Sequence, residues 1–566
     1  MLMCAGICSL QASPKKEVVL KIIETSDVHG HFFPYDFIQG KPAGGSMARV
    51  YQYVTQQRKT YGDNLILMDN GDILQGQPSV YHANFIDTTG THLVADVLNY
   101  MDYDVVTIGN HDVEAGPAVY NRWIQQTKAP ILGANVIDTK TCKPALKPYH
   151  IIEREGVKIA VLGLLTPAIP NWLPENLWPG WSFQPMVDCA RMWVPYIQQV
   201  EQPDILVGLF HSGKSGQVVN GIVENASRLV AEQVPGFDIV LMGHDHQTAD
   251  LRVQNPQGQE VVLLNPANNA HYVAEATCTV TLQDGHMIDK KIEGKLVSTD
   301  AFAPNPAFEA RYADRRETIE KFVSRPIGKI TQTITTRDAY FGSSAFVDLI
   351  HNLQLAISGA EISFVAPLSF SADIRQGTIH MSDMFNLYKF ENLLYVMKLS
   401  GQEIKDYLEY AYDIWTVQMQ SADDHLLRLK KDDRGRIRFA YPSYNFDSAA
   451  GLRYTVDVRQ PKGQKITIEG LADGTPFDLH RTYKVAVNSY RGNGGGDLLT
   501  LGAGIPRENL KSRIVWSTEK DLRFYLMKHI EELGTLTPAP LHQWKFIPED
   551  WAHAAALRDR KILFGR

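Results

Sequence analysis

Between residues 18 and about 270, short apolar runs repeatedly stop at a polar cluster. Runs rich in Val, Ile and Leu that end in Gly, Asn or Asp are typical of buried strands. The six runs are VVLKIIETSDVHG, NLILMDNGD, DVVTIGNHD, ILVGLFHSG, DIVLMGHDH and VVLLNPANN. Helical segments at 47–58 and 187–199 separate some of them. The pattern predicts an α/β sheet with its polar clusters at the carboxyl ends of the strands, where such sheets bind ligands.

The second half of the chain predicts a separate α/β region. Residues 305–325 are charged and indicate a linker helix, or alternatively a surface helix of the first domain. Beyond them, 347–367 is typical of a helix and a strand, and 382–415 of helix, strand and longer helix. We therefore divide the chain into 17–304, a linker at 305–325, a second domain at 326–550 and a tail at 551–566.

Composition narrows the class of protein without indicating a reaction. The 566 residues are 44% hydrophobic and 21% charged, which argues against disorder and coiled coil. A net charge of −7 provides no basic field for a nucleic-acid polymer. The sequence has no uninterrupted apolar run of membrane-spanning length, so we do not expect this chain to be an integral membrane protein. The length suits two or three domains, and we expect a monomer.

The N-terminal segment 1–16 predicts the remnant of a secretory signal. Residues 1–10 are mostly small and apolar, and Ala12 precedes a Ser-Pro-Lys-Lys break that suits a cut. The alternative is a frayed apolar terminus, and a lipid anchor stays open. Cys4 and Cys8 would leave with the signal, and the three remaining cysteines form no disulfide framework. We expect a periplasmic or secreted protein.

Five of the six strand ends carry carboxylate, imidazole or amide groups that bind metals. Each cluster alone is a weak signal, but their joint occurrence in chain order is hard to explain otherwise. Such ligands suit zinc, manganese or iron, and two metals about 3.5–4 Å apart can clamp a phosphoryl centre. The residues are Asp27, His29, Asp72, Asn110, His111, His211, His244 and His246.

The motifs DxHG, GDxxQG, GNHD, HSG and GHDH, in this order, resemble the calcineurin-like metallophosphoesterases, and among them the two-domain bacterial nucleotidases. The resemblance implies an N-terminal four-layer αββα domain, a C-terminal α/β nucleotidase domain and two divalent metal ions. It implies one metal site of Asp27, His29, Asp72 and His246. It implies a second of Asp72, Asn110, His211 and His244, with Asp72 bridging the two.

His111 is then expected to lie beside the metals without binding them. The leaving oxygen of a phosphoester needs a proton or a nearby positive charge, and an imidazole supplies either. A carboxylate should orient that ring. Asp112 and Glu114 are both candidates, and the sequence does not choose between them.

One rival motif lies inside the same region. Residues 208–215, GLFHSGKS, match the G-x-x-x-x-G-K-[ST] pattern of a P-loop, in which Lys214 would bind a nucleotide phosphate. This interpretation places His211 in the middle of the phosphate-binding loop, where it could not serve as a metal ligand. It also leaves the other ligand clusters unexplained. We therefore keep a P-loop NTPase as a distant alternative.

The second domain carries the candidates for substrate binding. APLSFSADI, NLYKFENLLYVMKLSG, YNFDSAAGLRYTVD and VNSYRGNGGGD together resemble the 2′,3′-cyclic-nucleotide 2′-phosphodiesterase/3′-nucleotidase branch. That resemblance implies a nucleobase sandwiched between Tyr444 and Tyr490, with tolerance for any base. Arg491 is a candidate for a phosphate or base contact, and Asn392 is a further candidate. Glycines in RGNGGGD suggest close backbone approach.

One departure favours the cyclic branch over the 5′-nucleotidases. Where 5′-nucleotidases carry a substrate arginine, this chain has Ser371, and Arg375 follows four residues later. Our leading hypothesis is hydrolysis of 2′,3′-cyclic nucleotides to 3′-nucleotides and then to nucleoside and phosphate. The alternative is a 5′-nucleotidase or nucleotide-sugar hydrolase on the same scaffold. A nucleotide-binding protein without chemistry would need missing ligands, and none is missing.

Overall fold

The computed structural model describes residues 14–216, 218–219, 221–432 and 435–565. Most of the predicted signal segment 1–16, including Cys4 and Cys8, lies outside these residues. The chain forms two compact units. Of the described residues, the first unit contains those up to 36, 40–169 and 176–317, and the second contains 37–39, 170–175 and those from 318 onward.

The first unit is built on two six-stranded sheets, each with four adjacent parallel strands. In spatial order the first sheet contains His286–Ser298, Tyr272–Gln283, Lys16–Thr25, Leu65–Asp69, Val105–Thr107 and Ile131–Leu132. The second contains Thr248–Gln254, Glu260–Pro266, Ile239–Met242, Ile205–His211, Val157–Leu165 and Tyr149–Arg154. Shorter pairings are Tyr35–Asp36 with Lys41–Pro42, Val218–Val219 with Ile222–Val223, and Trp181–Phe183 with Val136–Asp138 and Lys143–Pro144.

The core of this unit lies between the two sheets. Alternate residues such as Leu20 and Ile22 of one sheet and Ile159 and Val207 of the other form one buried cluster. Helices cover the outer faces: Met186–Val200 contributes to a second cluster against the other side of the second sheet. Because both faces of each sheet are covered, the strands are nearly continuous apolar runs. The predicted four-layer αββα arrangement is confirmed.

The helices of the first unit flank the sheets and the strand ends. The helices predicted at 47–58 and 187–199 are observed as Met47–Tyr61 and Met186–Val200. The other α-helices are Pro78–Tyr81, Leu93–Met101, Asn110–Glu114, Pro117–Gln126, Ser227–Gln233 and Pro306–Arg311. Single turns of 3₁₀ helix occur at Gly62–Asn64, Ile169–Asn171, Glu175–Leu177 and Thr299–Ala301, and a π-helical turn occurs at His82–Ile86.

The segment predicted as one linker helix, 305–325, forms two. Asn305 caps Pro306–Arg311 by accepting hydrogen bonds from two backbone amides, and Ala313–Val323 follows after a break at Tyr312. The division between the two units falls after residue 317, within the second of these helices.

The second unit contains a five-stranded sheet and several smaller ones. In spatial order the large sheet contains Ser448–Ala450, Ile362–Val365, Thr482–Asn488, Leu394–Ser400 and Ile514–Ser517. Two three-stranded sheets contain Ile466–Leu471, Leu452–Asp457 and Trp544–Ile547, and Gly377–His380, Pro326–Ile330 and Thr535–Leu536. Two antiparallel two-stranded pairs join Ile334–Thr335 to Asp373–Ile374 and Leu429–Lys431 to Ile437–Phe439.

Helices complete this unit. The central helix Gly401–Trp415 begins with a capping box between Ser400 and Glu403. The other α-helices are Thr336–Ala339, Ala345–Ser358, Met381–Leu387, Ser489–Gly492, Arg507–Arg513, Leu522–Leu533 and Glu549–Phe564, with 3₁₀ turns at Ser443–Asn445 and Gly495–Asp497 and a π turn at Leu498–Gly502. In the described part of the chain, no helix is long and apolar enough to cross a bilayer.

The segment expected to be a tail, 551–566, is largely part of the last helix, Glu549–Phe564. Its Ala552 and Ala555 belong to the core of the second unit. Asp559 is fully buried and accepts hydrogen bonds from the backbone amides of Leu426 and Leu427 at 2.9 and 2.8 Å. The small alanines let the helix pack closely, so this segment is an integral part of the second unit.

Candidate metal centre and substrate residues

The first unit gathers the predicted ligands at the carboxyl ends of its parallel strands. They form two groups of three ligand atoms. Within each group, the three atoms lie within 4.8 Å of one another. One group comprises Asp27, His29 and His246, and the other comprises Asp72, His211 and His244. Asn110 begins the short helix Asn110–Glu114 and lies against the second group.

Five of these ligands have a left-handed backbone. Their φ angles lie between 48° and 74°, in a region that few residues other than glycine adopt. Each such conformation costs on the order of 1–3 kcal/mol and persists only where its surroundings enforce it. The residues are Asp27, His29, Asp72, His244 and His246. The chain therefore turns sharply at these strand ends, and five strained residues lie within the candidate metal centre.

In the first group, hydrogen bonds and burial favour a neutral His29 and an ionised Asp27. Nδ1 of His29 lies 3.0 Å from the carbonyl oxygen of Gln75 and donates to it, so Nε2 keeps its lone pair. That Nε2 lies 3.0 Å from Nε2 of His246, which in turn lies 3.3 Å from Oδ1 of Asp27. Burial lowers the pKa of His29 to about 3. Burial opposes ionisation of Asp27, but contact with His246 prevails and lowers its pKa to about 2.

In the second group, lone pairs converge on one point. Nδ1 of His211 donates to the carbonyl oxygen of Asn70 at 2.6 Å. Nε2 of the same ring lies 3.1 Å from both Oδ1 of Asn110 and Oδ2 of Asp72. Two oxygen acceptors at these distances from Nε2 require either a proton on that nitrogen or a metal ion between the three atoms. Burial favours neutral His211, but the Asp72 carboxylate outweighs it and raises the pKa of His211 to about 10. Without a metal, a proton satisfies this demand for positive charge.

These donor sets fit two divalent ions. Buried carboxylates, imidazoles whose second nitrogen donates to a backbone carbonyl, and an amide oxygen are ligands that zinc, manganese and iron accept. The predicted cofactor, two divalent metal ions, is therefore supported by the residues themselves. The choice among the three metals stays open, and the bridging role of Asp72 stays a prediction.

Glycine allows the loops at these strand ends to meet. A Cβ at Gly109, in the GNHD motif, would lie 2.2 Å from Oδ1 of Asp72 and 2.4 Å from its backbone nitrogen. No side chain fits there, so any larger residue would displace Asp72.

His111 lies beside the two groups, with Glu114 as its partner. The two rings of His29 and His111 are 5.4 Å apart, and Nδ1 of His111 contacts Oε2 of Glu114. The backbone nitrogen of His111 donates to Oδ1 of Asp72 at 2.8 Å. Burial disfavours the charged ring, but Asp72 and Glu114 outweigh it and raise the pKa of His111 to about 9.

Asp112, the other candidate for orienting His111, has a different role. Its fully buried carboxylate accepts hydrogen bonds from four backbone amides at 2.8–2.9 Å: those of Asp72, Ile73, Leu74 and Gly109. With these hydrogen bonds directed at the backbone, Asp112 fixes the loop that carries Asp72. Of the two candidates for orienting His111, Glu114 contacts that ring, whereas the hydrogen bonds of Asp112 are to the backbone.

A layer of polar residues behind the ligands was not predicted. Nδ2 of Asn70 donates to Oε1 of Glu24 at 2.9 Å and to the carbonyl oxygen of Phe210 at 3.0 Å, while the backbone carbonyl of Asn70 holds His211. Burial raises the pKa of Glu24. Asn70 directly precedes the GD motif, and this adjacency is the only sequence signal for its role.

The P-loop interpretation is not supported by the local structure. A P-loop lysine and serine open a helix, but the segment after Ser215 continues into the strands Val218–Val219 and Ile222–Val223. His211 is fully buried within the second ligand group, and the backbone nitrogen of Lys214 donates to Oδ2 of Asp245 at 3.0 Å.

In the second unit, Tyr444 and Tyr490 are neighbours but not parallel. Their ring centroids are 6.2 Å apart and their planes meet at 87°. Phe390, which sequence reasoning missed, lies 6.2 Å from Tyr444 in a similar edge-to-face arrangement. Tyr444 is 37% exposed. The expected sandwich requires two parallel faces, so one ring must turn before both can stack on a base.

Arg491 is committed to the protein rather than to a ligand. It is 2% exposed and forms a two-pronged ion pair with Asp447, at 2.8 and 3.0 Å. It also donates to Oδ1 of Asn445 and to the carbonyl oxygens of Tyr444 and Gly495. Arg491 therefore ties the YNFD segment to the glycine-rich loop. The expectation of a phosphate or base contact is corrected, because all three guanidinium nitrogens bind these protein partners.

Asn392 and Ser371 also form hydrogen bonds within the protein. Asn392 is 7% exposed, and its backbone carbonyl oxygen accepts from the backbone nitrogen of Leu522 at 2.7 Å. Ser371, at the position where an arginine was expected in 5′-nucleotidases, accepts a hydrogen bond from Nε of Arg337 at 2.8 Å. The structure therefore brings the tyrosines together but leaves Asn392 buried.

Two family models match this chain, one in each half. Residues 20–248 match the calcineurin-like phosphoesterase model, and residues 326–502 match the model of the 5′-nucleotidase C-terminal domain. The first range contains every predicted metal ligand, and the second contains Asn392, Tyr444, Tyr490 and Arg491.

Curated relatives match nearly the whole chain. A 2′,3′-cyclic-nucleotide 2′-phosphodiesterase/3′-nucleotidase of Salmonella typhimurium is 27% identical, over 94% of this chain and 89% of that protein. A trifunctional nucleotide phosphoesterase protein of Bacillus subtilis is 25% identical over 95% of this chain, which spans only 39% of that relative. Protein UshA of Escherichia coli is 22% identical, over 87% of this chain and 88% of that protein.

Solved structures share the fold. A structure from Staphylococcus aureus described as a 5′-nucleotidase has a TM-score of 0.76 at 20% identity, covering 93% of this chain and 99% of that one. A 5′-nucleotidase precursor from Thermus thermophilus has a TM-score of 0.62 at 20% identity, covering 94% of this chain and 100% of that one. At these identities the likeness establishes the two-domain fold alone.

Proposed function

We propose that this chain, which belongs to the calcineurin-like phosphoesterases and carries a 5′-nucleotidase C-terminal domain, hydrolyses phosphoesters of nucleotides with the help of two divalent metal ions. One observation carries the proposal. The two groups of ligand atoms lie at neighbouring strand ends, each within 4.8 Å, and His111 lies against both.

We assign one metal to Asp27, His29, Asp72 and His246, and the other to Asp72, Asn110, His211 and His244. When bound, such ions act as Lewis acids on a phosphoryl group and lower the pKa of coordinated water. The side chains present their lone pairs without rearrangement of the backbone, because Asn70 and Gln75 already hold the rings of His211 and His29.

His111 supplies the proton for the leaving oxygen. Burial opposes the charged form of this ring, whereas Asp72 and Glu114 favour it, and Glu114 would continue to do so once Asp72 holds a metal ion. Glu114 holds Nδ1, which directs the Nε2–H of His111 away from the carboxylate and makes it the donating atom. A carboxylate beside a catalytic imidazole both orients it and stabilises its charge.

For the substrate we favour 2′,3′-cyclic nucleotides and then 3′-nucleotides. Relatives of that name match over most of the chain, and Ser371 stands where an arginine is expected in 5′-nucleotidases. The aromatic residues Phe390, Tyr444 and Tyr490 provide faces on which any base can stack. This combination supports a small-molecule nucleotide as the ligand.

A substrate panel tests the proposal. Phosphate release is measured from 2′,3′-cyclic AMP, 3′-AMP, 5′-AMP and UDP-glucose, with manganese, zinc or EDTA, and opening of the cyclic ester is followed by chromatography of the nucleotide products. We expect loss of activity in EDTA and recovery with manganese or zinc. Activity that survives EDTA would refute the two-metal reaction, and preference for 5′-AMP over 3′-AMP would refute the cyclic branch.

The proposal includes location outside the cytoplasm, in the periplasm or secreted. The apolar segment before Ser13 and the Ser-Pro-Lys-Lys break support it. Expression of the full chain in a bacterium, followed by fractionation and N-terminal sequencing, tests this point. Recovery of uncleaved protein in the cytoplasm would contradict it.

A further inference from the structure

A carboxylate outside every predicted motif contacts one of the metal ligands. Oε1 of Glu224 lies 2.9 Å from Nε2 of His244. The His244 side chain is 10% exposed and that of Glu224 is 36% exposed, so the pair lies at the rim of the second ligand group. Glu224 precedes His244 by 20 residues, between two of the recognisable sequence patterns.

The backbone of Glu224 is fixed from two sides. Its carbonyl oxygen accepts from Oγ1 of Thr166 and from Oγ of Ser212, both at 2.9 Å. The neighbouring Asn225 accepts from the backbone nitrogen of Gly213 at 2.8 Å through Oδ1. Ser212 and Gly213 directly follow His211, so the same segment carries one ligand and anchors the residue that contacts another.

This contact determines which nitrogen of His244 can bind a metal. An ionised carboxylate only accepts hydrogen bonds, so Nε2 of His244 must carry the hydrogen. The lone pair then resides on Nδ1. A second hydrogen bond of this kind fixes the tautomer and the orientation of metal-binding histidines, and its removal typically costs about 10–100-fold in metal affinity.

We propose that Glu224 is a positioning residue for the second metal: through Nε2 of His244 it fixes the tautomer and the orientation of that ring. The inference rests on the proposed two-metal centre. It also gives a physical role to the 222–227 segment, because the hydrogen bonds from Thr166, Ser212 and Gly213 keep the carboxylate in place. The rings of His29 and His211, in contrast, are held by backbone carbonyls.

Manganese binding to the full-length protein tests the inference without reference to turnover. Metal-free wild type, Glu224→Ala and Glu224→Gln are titrated with Mn²⁺ against a competing chelator, and electron paramagnetic resonance distinguishes a coupled pair of ions from a single one. We expect Glu224→Ala to weaken one of the two sites by about 10–100-fold and leave the other unchanged. Glu224→Gln keeps an oxygen acceptor of the same size and should recover part of the affinity.

Glu232→Ala is the matched control. Glu232 is on the helix Ser227–Gln233 and pairs at the surface with Arg228, at 2.7 Å, so both sites should keep their wild-type affinities. Two wild-type affinities in Glu224→Ala, or equal weakening at both sites, would overturn the inference. Should Glu224→Ala melt earlier than wild type in the metal-free state, the isosteric Glu224→Gln decides by the same criterion. Two tight sites in wild type without nucleotide hydrolysis would refute the proposed function and leave this inference intact.

Discussion

Glu114 contacts Nδ1 of His111 from three residues further along the same short helix. Residues three apart face the same side of a helix, so the pairing is built into Asn110–Glu114 itself. The helix begins directly at the ligand Asn110, and the backbone nitrogen of His111 is bound to Asp72. His111, Glu114 and the candidate ligand Asn110 therefore lie on one short helix, which is tied through a hydrogen bond to Asp72.

His111→Ala should keep both metals and lose most of the turnover. His111 is not needed by either group of ligand atoms, but a positioned general acid typically contributes about 10²- to 10⁴-fold in rate. Metal content by mass spectrometry and kcat on a cyclic nucleotide check this together. Loss of metal in proportion to loss of turnover would identify His111 as a ligand. Glu114→Gln should show a smaller loss with metal content unchanged.

Asp112→Ala should destabilise the fold as well as the metal centre. It would leave four buried backbone amides without this acceptor, and each unmade hydrogen bond costs roughly 1–3 kcal/mol. We expect at least about 3 kcal/mol lower free energy of unfolding in the metal-free protein, measured by urea denaturation, and weaker metal binding because the Asp72 loop is released. Asp188→Ala, an exposed position on Met186–Val200, is the control. Wild-type stability in Asp112→Ala would contradict the assigned role.

Tyr444→Ala should raise KM for nucleotides and leave kcat less affected. Stacking on an aromatic ring is worth about 1–3 kcal/mol per base, which corresponds to a rise in KM of roughly 5- to 150-fold. Tyr444→Phe retains the ring and should remain close to wild type. Steady-state kinetics on 3′-AMP and 3′-UMP measure both. An unchanged KM in Tyr444→Ala would exclude this ring from base binding.

Arg491→Lys should raise KM for nucleotides, but by less than Tyr444→Ala does. A lysine cannot reproduce the two-pronged pairing with Asp447 or reach Asn445 and the Tyr444 carbonyl at once. We expect lower thermal stability and a raised KM with metal content unchanged. Arg453→Lys, an exposed strand position, serves as the comparison. A rise in KM without any loss of stability would instead indicate direct contact of Arg491 with substrate.

Acidification should weaken the second unit through His351. This ring is fully buried between the hydroxyls of Ser363 and Ser448, at 3.0 and 3.2 Å, and burial lowers its pKa to about 3. An unfolded histidine titrates at about 6.5, so its contribution to stability is complete above that pH and is lost as the pH falls toward the folded-state pKa.

At pH 5 the predicted loss is about 2 kcal/mol, from about 1.4 kcal/mol for each pH unit below about 6.5. Hydrogen exchange of the helix Ala345–Ser358 is measured at pH 7 and pH 5, in wild type and in His351→Gln. The comparison separates the contribution of His351 to the pH dependence from that of the carboxylates. An equal pH dependence in both proteins would contradict the assignment.

The grouping of the candidate metal ligands was predictable because parallel strands bring their carboxyl ends to one edge of a sheet, whatever the detail of the loops. The partner of His111 required one further fact, that a helix begins at Asn110. Gly109 is the N-cap of this helix, so Asp112 is its third residue, whose side chain accepts a hydrogen bond from the backbone nitrogen of the cap. Glu114 then lies on the same side of the helix as His111.

The second unit was less predictable. Arg491 is paired with Asp447, 44 residues away in the sequence, and no local pattern connects the two. The angle of 87° between Tyr444 and Tyr490 depends on side-chain rotamers and on the loop that carries each ring. Sequence motifs placed these residues in the same unit but did not determine which of them face outward.

The left-handed backbone at five ligands limits how this centre can be re-engineered or can diverge. Aspartate and histidine, with asparagine, are the non-glycine residues that adopt this conformation most readily, and all five positions hold aspartate or histidine. A branched or long side chain at Asp27 or His246 would have to bind the metal and also tolerate the left-handed backbone conformation at that position. Exchange of these ligands for cysteine or glutamate to change metal preference should therefore fail first as a problem of loop conformation. Asn110, which opens a helix, and His211, which ends a strand, are better starting points for such changes.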